Sequence, residues 1–89
     1  MLKISEIQPS NHTVTLKLEG RIIGPWVAEL RQSCEKLLSQ GRVINLRLAE
    51  VEFLDRSGIS LLTNLRDRGV SLVDCSPFVE VQLKSAAEG

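Results

Sequence analysis

The spacing of apolar residues along this chain changes several times between the period of a strand and that of a helix. Residues 2–7 alternate imperfectly between apolar and polar side chains, and a dense turn signal follows at residues 9–12. Residues 13–19 then alternate cleanly, with Gly20 as the predicted end of the strand. Two strands joined by a short turn pair in opposite directions, so this part of the chain predicts an antiparallel hairpin.

Helical spacing begins after the hairpin. From Pro25 to the expected stop at Gly41, apolar residues recur every three or four positions, while polar residues fill the other face. Pro25 suits a first helical turn, because its missing N–H would have no partner there. A second helix is predicted roughly from Arg56 to Arg68, since the same spacing returns and Gly69 follows.

The last part of the chain, residues 77–87, fits two patterns. Ser76-Pro77 has the form of an N-cap and a first helical turn, which predicts a third helix to about Ala87. That helix would place three apolar residues on one face: Val79, Leu83 and Ala86. A strand is the alternative, because apolar and polar residues also alternate between positions 79 and 83. We favour the helix.

Two further apolar runs, at residues 43–48 and 70–73, predict short buried strands. The resulting order is strand, strand, helix, strand, helix, strand, helix. Strands that alternate with helices pair in parallel through right-handed crossovers. We therefore predict an α/β fold for residues 1–89, a single small domain. Its mixed sheet should have about four strands, with an N-terminal antiparallel hairpin followed by parallel βαβ units, and about three helices.

Binding sites of such sheets lie beyond the C-terminal ends of the strands. Three loops are expected to gather there: residues 20–25, 49–57 and 74–77. The middle loop contains Asp55-Arg56-Ser57-Gly58, which we call the N-cap motif. Asp55 is a good N-cap for the helix that follows, and Gly58, which lowers helix propensity, is expected where backbone or a partner comes close. The motif predicts a helix start held at the surface, where a protein is recognised or modified.

Composition narrows the range of functions. The formal net charge is zero, and the chain contains one Trp, two Phe and no Tyr. Neither a basic field nor a set of stacking rings favours nucleic-acid binding. No apolar run reaches the ~20 residues that span a bilayer, so we expect no direct membrane insertion. The N-terminus lacks the pattern of a signal peptide, and we expect a cytoplasmic protein.

Residues with catalytic or ligating side chains are sparse. Cys34 and Cys75 lie far apart without a second ligand pair, so we expect core or near-core thiols and no metal site. The single histidine, His12, falls in the predicted turn, and Ser57 has no base near it in the sequence. No phosphate-binding loop is present. We predict a protein that needs no cofactor and is not an enzyme.

The residues around Gly20 and the N-cap motif resemble a known family. Leu18-Glu19-Gly20-Arg21-Ile22, the helix after it, and the run from Val51 to Ile59 look like a STAS domain. This is the fold of bacterial anti-sigma-factor antagonists and of the cytoplasmic domains of sulfate transporters. The resemblance covers roughly residues 1–87 in element order. Its most specific part is the aromatic-apolar-Asp-x-Ser-Gly-apolar stretch at residues 53–59.

The resemblance implies a protein-binding module rather than an enzyme. In the antagonists, the residue directly after this Asp is a Ser or Thr that the anti-sigma factor, itself a kinase, phosphorylates. The unphosphorylated antagonist binds the anti-sigma factor and frees the sigma factor for transcription. Phosphate adds about −1.5 to −2 charges at the helix start and blocks the partner's surface.

This sequence departs from the family pattern at the acceptor itself. The matching residue is Arg56, which a Ser/Thr kinase cannot phosphorylate, and the next hydroxyl, Ser57, matches a residue that the family does not usually modify. Arg47 and Ile23 stand where the family often carries Asp. We therefore expect Arg21, Arg47 and Arg56 near one another on a basic partner-binding face. Phosphorylation of Ser57 is the alternative.

Two classes of partner follow from the resemblance. The first is an anti-sigma-factor-like kinase, bound through Asp55, Arg56, Ser57 and Gly58 without phosphorylation at the usual site. The second is a transporter subunit, because some small STAS proteins are accessory subunits of ABC-type lipid transport complexes. A third interpretation is a small anion or nucleotide bound at the basic loops.

The chain also ends where the family usually adds one more strand and helix. Residues 70–73 would then form a free sheet edge, which must be short, covered or paired. A homodimer, or docking onto a larger subunit, is a plausible consequence.

Overall fold

The alternation of strand and helix spacing corresponds to seven elements in a computed structural model of the chain. The structure describes residues 2–7, 10 and 12–88, with side chains up to residue 85. The elements are β1 (Leu2–Ile7), β2 (Thr13–Ile22), α1 (Pro25–Ser39), β3 (Val43–Leu54), α2 (Arg56–Asp67), β4 (Ser71–Val73) and α3 (Pro77–Glu88). The predicted turn at residues 9–12 lies partly outside the described residues.

The strands form one mixed sheet in the order β1-β2-β3-β4. β1 and β2 are antiparallel, whereas β2–β3 and β3–β4 are parallel pairs. The predicted α/β fold, with an N-terminal hairpin followed by parallel βαβ units and three helices, is confirmed. The C-terminal ends of β2 and β3 therefore lie side by side, at Ile22 and Leu54, whereas β4 ends at Val73, level with Arg47 in the middle of β3.

One hydrophobic core joins a single face of the sheet to the inner faces of the helices. Side chains from the strands alternate into it, and those from the helices recur at three- and four-residue spacing. The strands and the residue before β4 contribute Leu2, Val14, Leu16, Leu18, Ile22, Ile44, Leu46, Leu48, Val51, Leu54 and Val70. The helices contribute Val27, Leu30, Cys34, Leu61, Leu62, Leu65, Val79 and Leu83. This core holds the three helix starts in fixed positions against the strand ends.

α3 settles the two patterns at the end of the chain in favour of the helix. Val79 and Leu83, four residues apart, are both buried, as one face of a helix requires. Val81, which a strand would place on the same side as Val79 and Leu83, is exposed. The side chain of Ala86, predicted on the buried face, lies outside the described residues.

β3 is longer than predicted because its pairing with β2 is irregular. The sequence predicts a loop after Leu48, but β3 continues to Leu54, so this part of the loop prediction is wrong. The register between β2 and β3 shifts after Lys17 and again after Gly20. Each shift sets an extra β3 residue opposite β2, so the buried side chains after Leu48 are three residues apart, at Val51 and Leu54. The strand therefore lacks the alternation by which strands are predicted.

Gly20 does not end β2, as the sequence predicts; the strand continues to Ile22. With a φ of 110°, Gly20 has a backbone conformation that other residues rarely adopt. It remains paired with Leu2 on β1 and Val51 on β3. The glycine therefore marks an irregularity inside the strand, and the two residues after it extend β2 as far as the start of α2.

Candidate functional site

Asp55 lies between β3 and α2, and its carboxylate joins two loops. Its Oδ1 accepts a hydrogen bond from the backbone N–H of Gly58 at 2.7 Å, which is the predicted N-cap bond. Its Oδ2 accepts one from the backbone N–H of Gly24 at 2.9 Å, 31 residues away in the chain. Because both oxygens are engaged, Asp55 fixes the loop before α1 relative to the start of α2.

Gly58 allows the first turn of α2 to approach β2. A Cβ atom at Gly58 would lie 2.5 Å from the carbonyl oxygen of Ile22 and 3.2 Å from its Cγ2. The same carbonyl oxygen accepts a hydrogen bond from the backbone N–H of Asp55 at 3.3 Å. The prediction that Gly58 marks a close approach is confirmed, and the neighbour is the end of β2.

Arg56 and Ser57 occupy the exposed side of this first turn. Among the residues that the structure describes, neither side chain has a hydrogen-bond or ion-pair partner. The first turn of α2 contains no acidic side chain. The guanidinium of Arg56 therefore adds its charge to the positive end of the helix dipole. This rigidly placed helix start presents a cation and a hydroxyl group to the solvent.

The three arginines of the predicted basic face are not all neighbours. Along β3, Arg47 lies six positions before Phe53, which pairs with Arg21. At ~3.3 Å per residue this separation is roughly 20 Å of strand. Arg47 also donates its Nε–H to Oδ2 of Asp74 at 2.9 Å. Arg21 and Arg56 lie at the same end of the sheet. Of the other two arginines, therefore, only Arg21 lies at the end of the sheet that holds the N-cap motif.

This separation bears on the anion or nucleotide interpretation. That interpretation needs several cations converging on one ligand. Asp74 neutralises one of the three arginines that were expected to converge. The remaining pair, Arg21 and Arg56, both exposed, suits the surface of a protein better than a closed anion site.

Two phenylalanines beside the N-cap motif form an exposed pair that the sequence analysis missed. Phe53 in β3 and Phe78 in the first turn of α3 are each 45% exposed. Their ring centroids are 6.2 Å apart and their planes are inclined by 29°. Val81, one turn further along α3, is 63% exposed. One feature of the sequence indicates this surface. Phe78 and Val81 are three residues apart, so they share a face of α3 that is not its buried face.

A groove between α2 and α3 continues from this aromatic pair. Its apolar wall includes Phe53, Ile59 and Val81, and Asp55 and Arg56 lie along one edge. We call it the α2–α3 groove. Exposed aromatic rings at the edge of a groove are typical of protein interfaces, where their burial contributes much of the binding energy.

The two cysteines are free thiols with structural positions. Cys34 is buried in the core and Cys75 is partly buried against it, as predicted. Burial, with a further contribution from Glu35 and an opposing one from Arg68, raises the pKa of the Cys34 thiol to about 11. Burial also raises the pKa of Cys75. Both thiols are therefore protonated at neutral pH, which makes them poor nucleophiles.

Two other kinds of site are absent from the described part of the chain. No group of three His, Cys, Asp or Glu side chains there is placed to hold a metal ion. No helix there is both long and apolar enough to cross a bilayer.

Comparisons with known proteins agree with this geometry. Residues 5–84 match a family model described as "Mlab, STAS domain". The solved structure of the anti-sigma factor antagonist SpoIIAA in its unphosphorylated form is similar, with a TM-score of 0.75 and 20% sequence identity. The similarity covers 96% of this chain and 81% of that chain, and at this identity it shows the fold alone. A search of curated protein sequences gave no match. Because the family model spans most of its length, the chain belongs to the STAS domain family.

Proposed function

We propose that this chain is a non-enzymatic regulatory module that binds a protein partner at the N-cap motif. The observation that carries the proposal is the rigid display of Arg56 and Ser57, both exposed, on a helix start that Asp55 and Gly58 hold against β2. Membership of the STAS family and the fold of an anti-sigma factor antagonist support the same conclusion. Arg21, exposed at the same end of the sheet, extends this face. A contribution of Arg47 to partner binding stays a prediction.

We infer that the partner is bound without phosphorylation at the position that the family usually modifies. By the resemblance to the family, Arg56 stands at that position, and its side chain is a cationic guanidinium without a hydroxyl group. The module would then lack the negative state that phosphate creates in its relatives. Ser57 is exposed and is the alternative acceptor; phosphate there would lie next to the guanidinium of Arg56.

The first class of partner is an anti-sigma-factor-like kinase, supported by the similarity to SpoIIAA. The alternative is that the chain is an accessory subunit of an ABC-type lipid transport complex, as the resemblance to small STAS proteins implies. The family model, described as an Mlab STAS domain, bears a different name from the matched antagonist. We therefore propose both classes of partner, and identification of the bound protein distinguishes between them.

The free sheet edge bears on self-association. β4 is the last strand of the sheet and has three residues, so it is short enough to stay unpaired. Homodimerisation remains a hypothesis. Sedimentation velocity at high protein concentration that shows only monomer would count against it.

The proposed function is tested by affinity capture of the tagged chain from its own cells, with quantitative mass spectrometry. We expect one protein that the native chain retains and that Arg56→Glu reduces at least tenfold. Lys36→Glu makes the same charge change on α1. It should leave the capture unchanged, since Lys36 is exposed in the last turn of that helix, away from the N-cap motif. Equal capture by all three chains would contradict binding at the motif.

The phosphorylation proposal needs a separate test. If the captured partner is a kinase, it is incubated with ATP and with either the native chain or the Arg56→Ser variant. We expect phosphate only on the variant, at residue 56. Phosphate on Ser57 of the native chain would overturn this part of the proposal and leave binding at the motif standing.

A further inference from the structure

The α2–α3 groove exposes large apolar side chains that play no part in the structure of the N-cap motif. Phe53, Phe78 and Val81 are three of the four large apolar side chains that are most exposed in the described part of the chain. Phe53 and Val81 line the groove, and Phe78 stacks against Phe53 at its edge. The groove is also continuous with Asp55 and Arg56. A partner that contacts the motif therefore lies beside an apolar surface ready to be covered.

The lining of this groove contains one acidic and one basic side chain, Asp55 and Arg56. Asp55 lies on its edge, but both carboxylate oxygens already accept hydrogen bonds from backbone N–H groups. Arg56 lies beside it with no partner among the described residues, at the positive end of the α2 dipole. The groove therefore offers a planar guanidinium, the group best suited to a two-point bond with a carboxylate.

A hydrogen-bonding group on the groove wall also lacks a partner. The side-chain amide oxygen of Gln82 is buried, and no described residue donates a hydrogen bond to it. Gln82 lies on α3 among the residues that line the groove. The groove thus combines apolar, cationic and amide positions.

The shape of the groove favours a helix as its occupant. Two helices form its sides, and a third helix can lie between them with apolar residues at three- and four-residue spacing. An added strand would need an unpaired sheet edge. Beside the groove, β3 is paired with β2 alone, since β4 pairs only with residues 45–47, but α3 packs against β3 and the ring of Phe78 stacks on Phe53 there. We propose that the α2–α3 groove binds an acidic amphipathic helix of the partner protein, whose apolar face covers Phe53, Phe78 and Val81 and whose carboxylate pairs with Arg56.

A second copy of this chain is a poorer occupant. In a two-fold dimer centred on the groove, the same surface faces itself. Two Arg56 side chains would then approach each other, and the only carboxylate in the groove lining, Asp55, already accepts two backbone hydrogen bonds. This inference rests on the proposed function, since it names the segment that the partner brings to the same site.

Photo-crosslinking tests which segment occupies the groove. Benzoylphenylalanine replaces Val81, and in a control chain it replaces Val43, which is 52% exposed and lies at the start of β3. After irradiation in complex with the captured partner, mass spectrometry identifies the joined peptides. We expect Val81 to join a partner segment with helical apolar spacing and net negative charge, while Val43 joins at least tenfold less. A basic segment, or a second copy of this chain, would overturn the inference.

A charge exchange then tests the role of Arg56 in the groove. The carboxylate residue of the joined segment is changed to Lys in the full partner, and Arg56 is changed to Glu. We expect each change alone to weaken binding at least tenfold and the two together to restore most of that loss. Losses that simply multiply would contradict the pairing.

The two proposals fail in different ways. Binding that depends on Arg56 but gives no partner crosslink from Val81 would overturn the acidic helix and leave the proposed function standing. Binding that is indifferent to Arg56 would overturn both.

Discussion

At the scale of single residues, Asp55 connects chain segments that are distant in sequence. One oxygen caps α2 and the other holds the loop before α1 through Gly24. Removing the carboxylate therefore loses two hydrogen bonds and leaves two backbone N–H groups to find other partners. The N-cap motif depends on this single side chain for its geometry.

Asp55→Ala should lower the free energy of unfolding by about 2 kcal/mol, because a lost N-cap costs ~1 kcal/mol and the second bond a similar amount. Urea unfolding followed by circular dichroism measures the change. Asp67→Ala, at the exposed end of the same helix, is the control and should change stability by less than about 0.5 kcal/mol. Equal effects of the two substitutions would show that the carboxylate of Asp55 does not hold the loops.

Gly58→Ala should destabilise the fold by about 1–3 kcal/mol, because the new methyl group meets the carbonyl oxygen of Ile22. The neighbouring Ser57→Ala introduces no such contact at an exposed position and should change stability by less than about 0.5 kcal/mol. The same urea titration compares them. A Gly58→Ala chain as stable as the native one would mean that α2 can move away from β2 at little cost.

The raised pKa of Cys34 predicts a loss of stability in alkaline solution. Below pH 9 the thiol is protonated in both the folded and the unfolded chain. Between the ordinary pKa of 9.0 and the folded value of about 11, the unfolded chain releases its proton first. The free energy of unfolding should therefore fall by about 1.4 kcal/mol per pH unit across this window, to a total of about 2–3 kcal/mol.

The measurement is a set of denaturant titrations between pH 8 and about pH 11, where the linkage between proton binding and folding is expected. Cys34→Ala lacks the thiol and should show a shallower pH dependence than the native chain by this amount. Parallel curves for the two chains would place the thiol in contact with water.

At the scale of elements, α3 has two faces with different roles. Val79 is fully buried against the core, whereas Val81 is 63% exposed on the groove. Val79→Ala should cost about 1.5–3 kcal/mol, as loss of buried methyl groups does. Val81→Ala makes the same chemical change and should stay within about 0.5 kcal/mol of the native chain. A large cost at Val81 would mean that this face supports the fold and is not held for a partner.

How far the elements could be predicted depends on the range of the interactions that define them. The helix starts at Pro25 and Arg56 follow from neighbouring residues, and so does the N-cap bond of Asp55. The full length of β3 does not, because its two register shifts depend on how it pairs with β2. Short apolar alternation at residues 79–83 fits a helix as well as a strand, and packing against the core decides it.

In the candidate site, too, some features follow from neighbouring residues and others depend on contacts between distant parts of the chain. The close approach at Gly58 could be predicted from its helix propensity, although its neighbour, Ile22, could not. The stacking of Phe53 on Phe78 joins a strand to a later helix, and no local pattern indicates it. The pairing of Arg47 with Asp74 is likewise a contact between loops and strands distant in sequence.

At the scale of the whole molecule, the fold brings three features to one end: the N-cap motif, the exposed aromatic pair and Arg21. The opposite side of the sheet is polar, with Thr15, Lys17 and Asn45 among its partly exposed residues. This asymmetry gives the molecule one surface suited to a protein partner. We propose that the partner binds there, at residues 55–58.

Nuclear magnetic resonance can locate the bound partner residue by residue. The ¹⁵N-labelled chain is titrated with the captured partner, and the amide signals of residues 55–58 are compared with those of Thr15 and Lys17 on the far face of the sheet. We predict that the signals of the motif and of the start of α3 shift or broaden first, while those of the far face stay unchanged. Changes confined to the far face, with the motif unaffected, would contradict binding at residues 55–58.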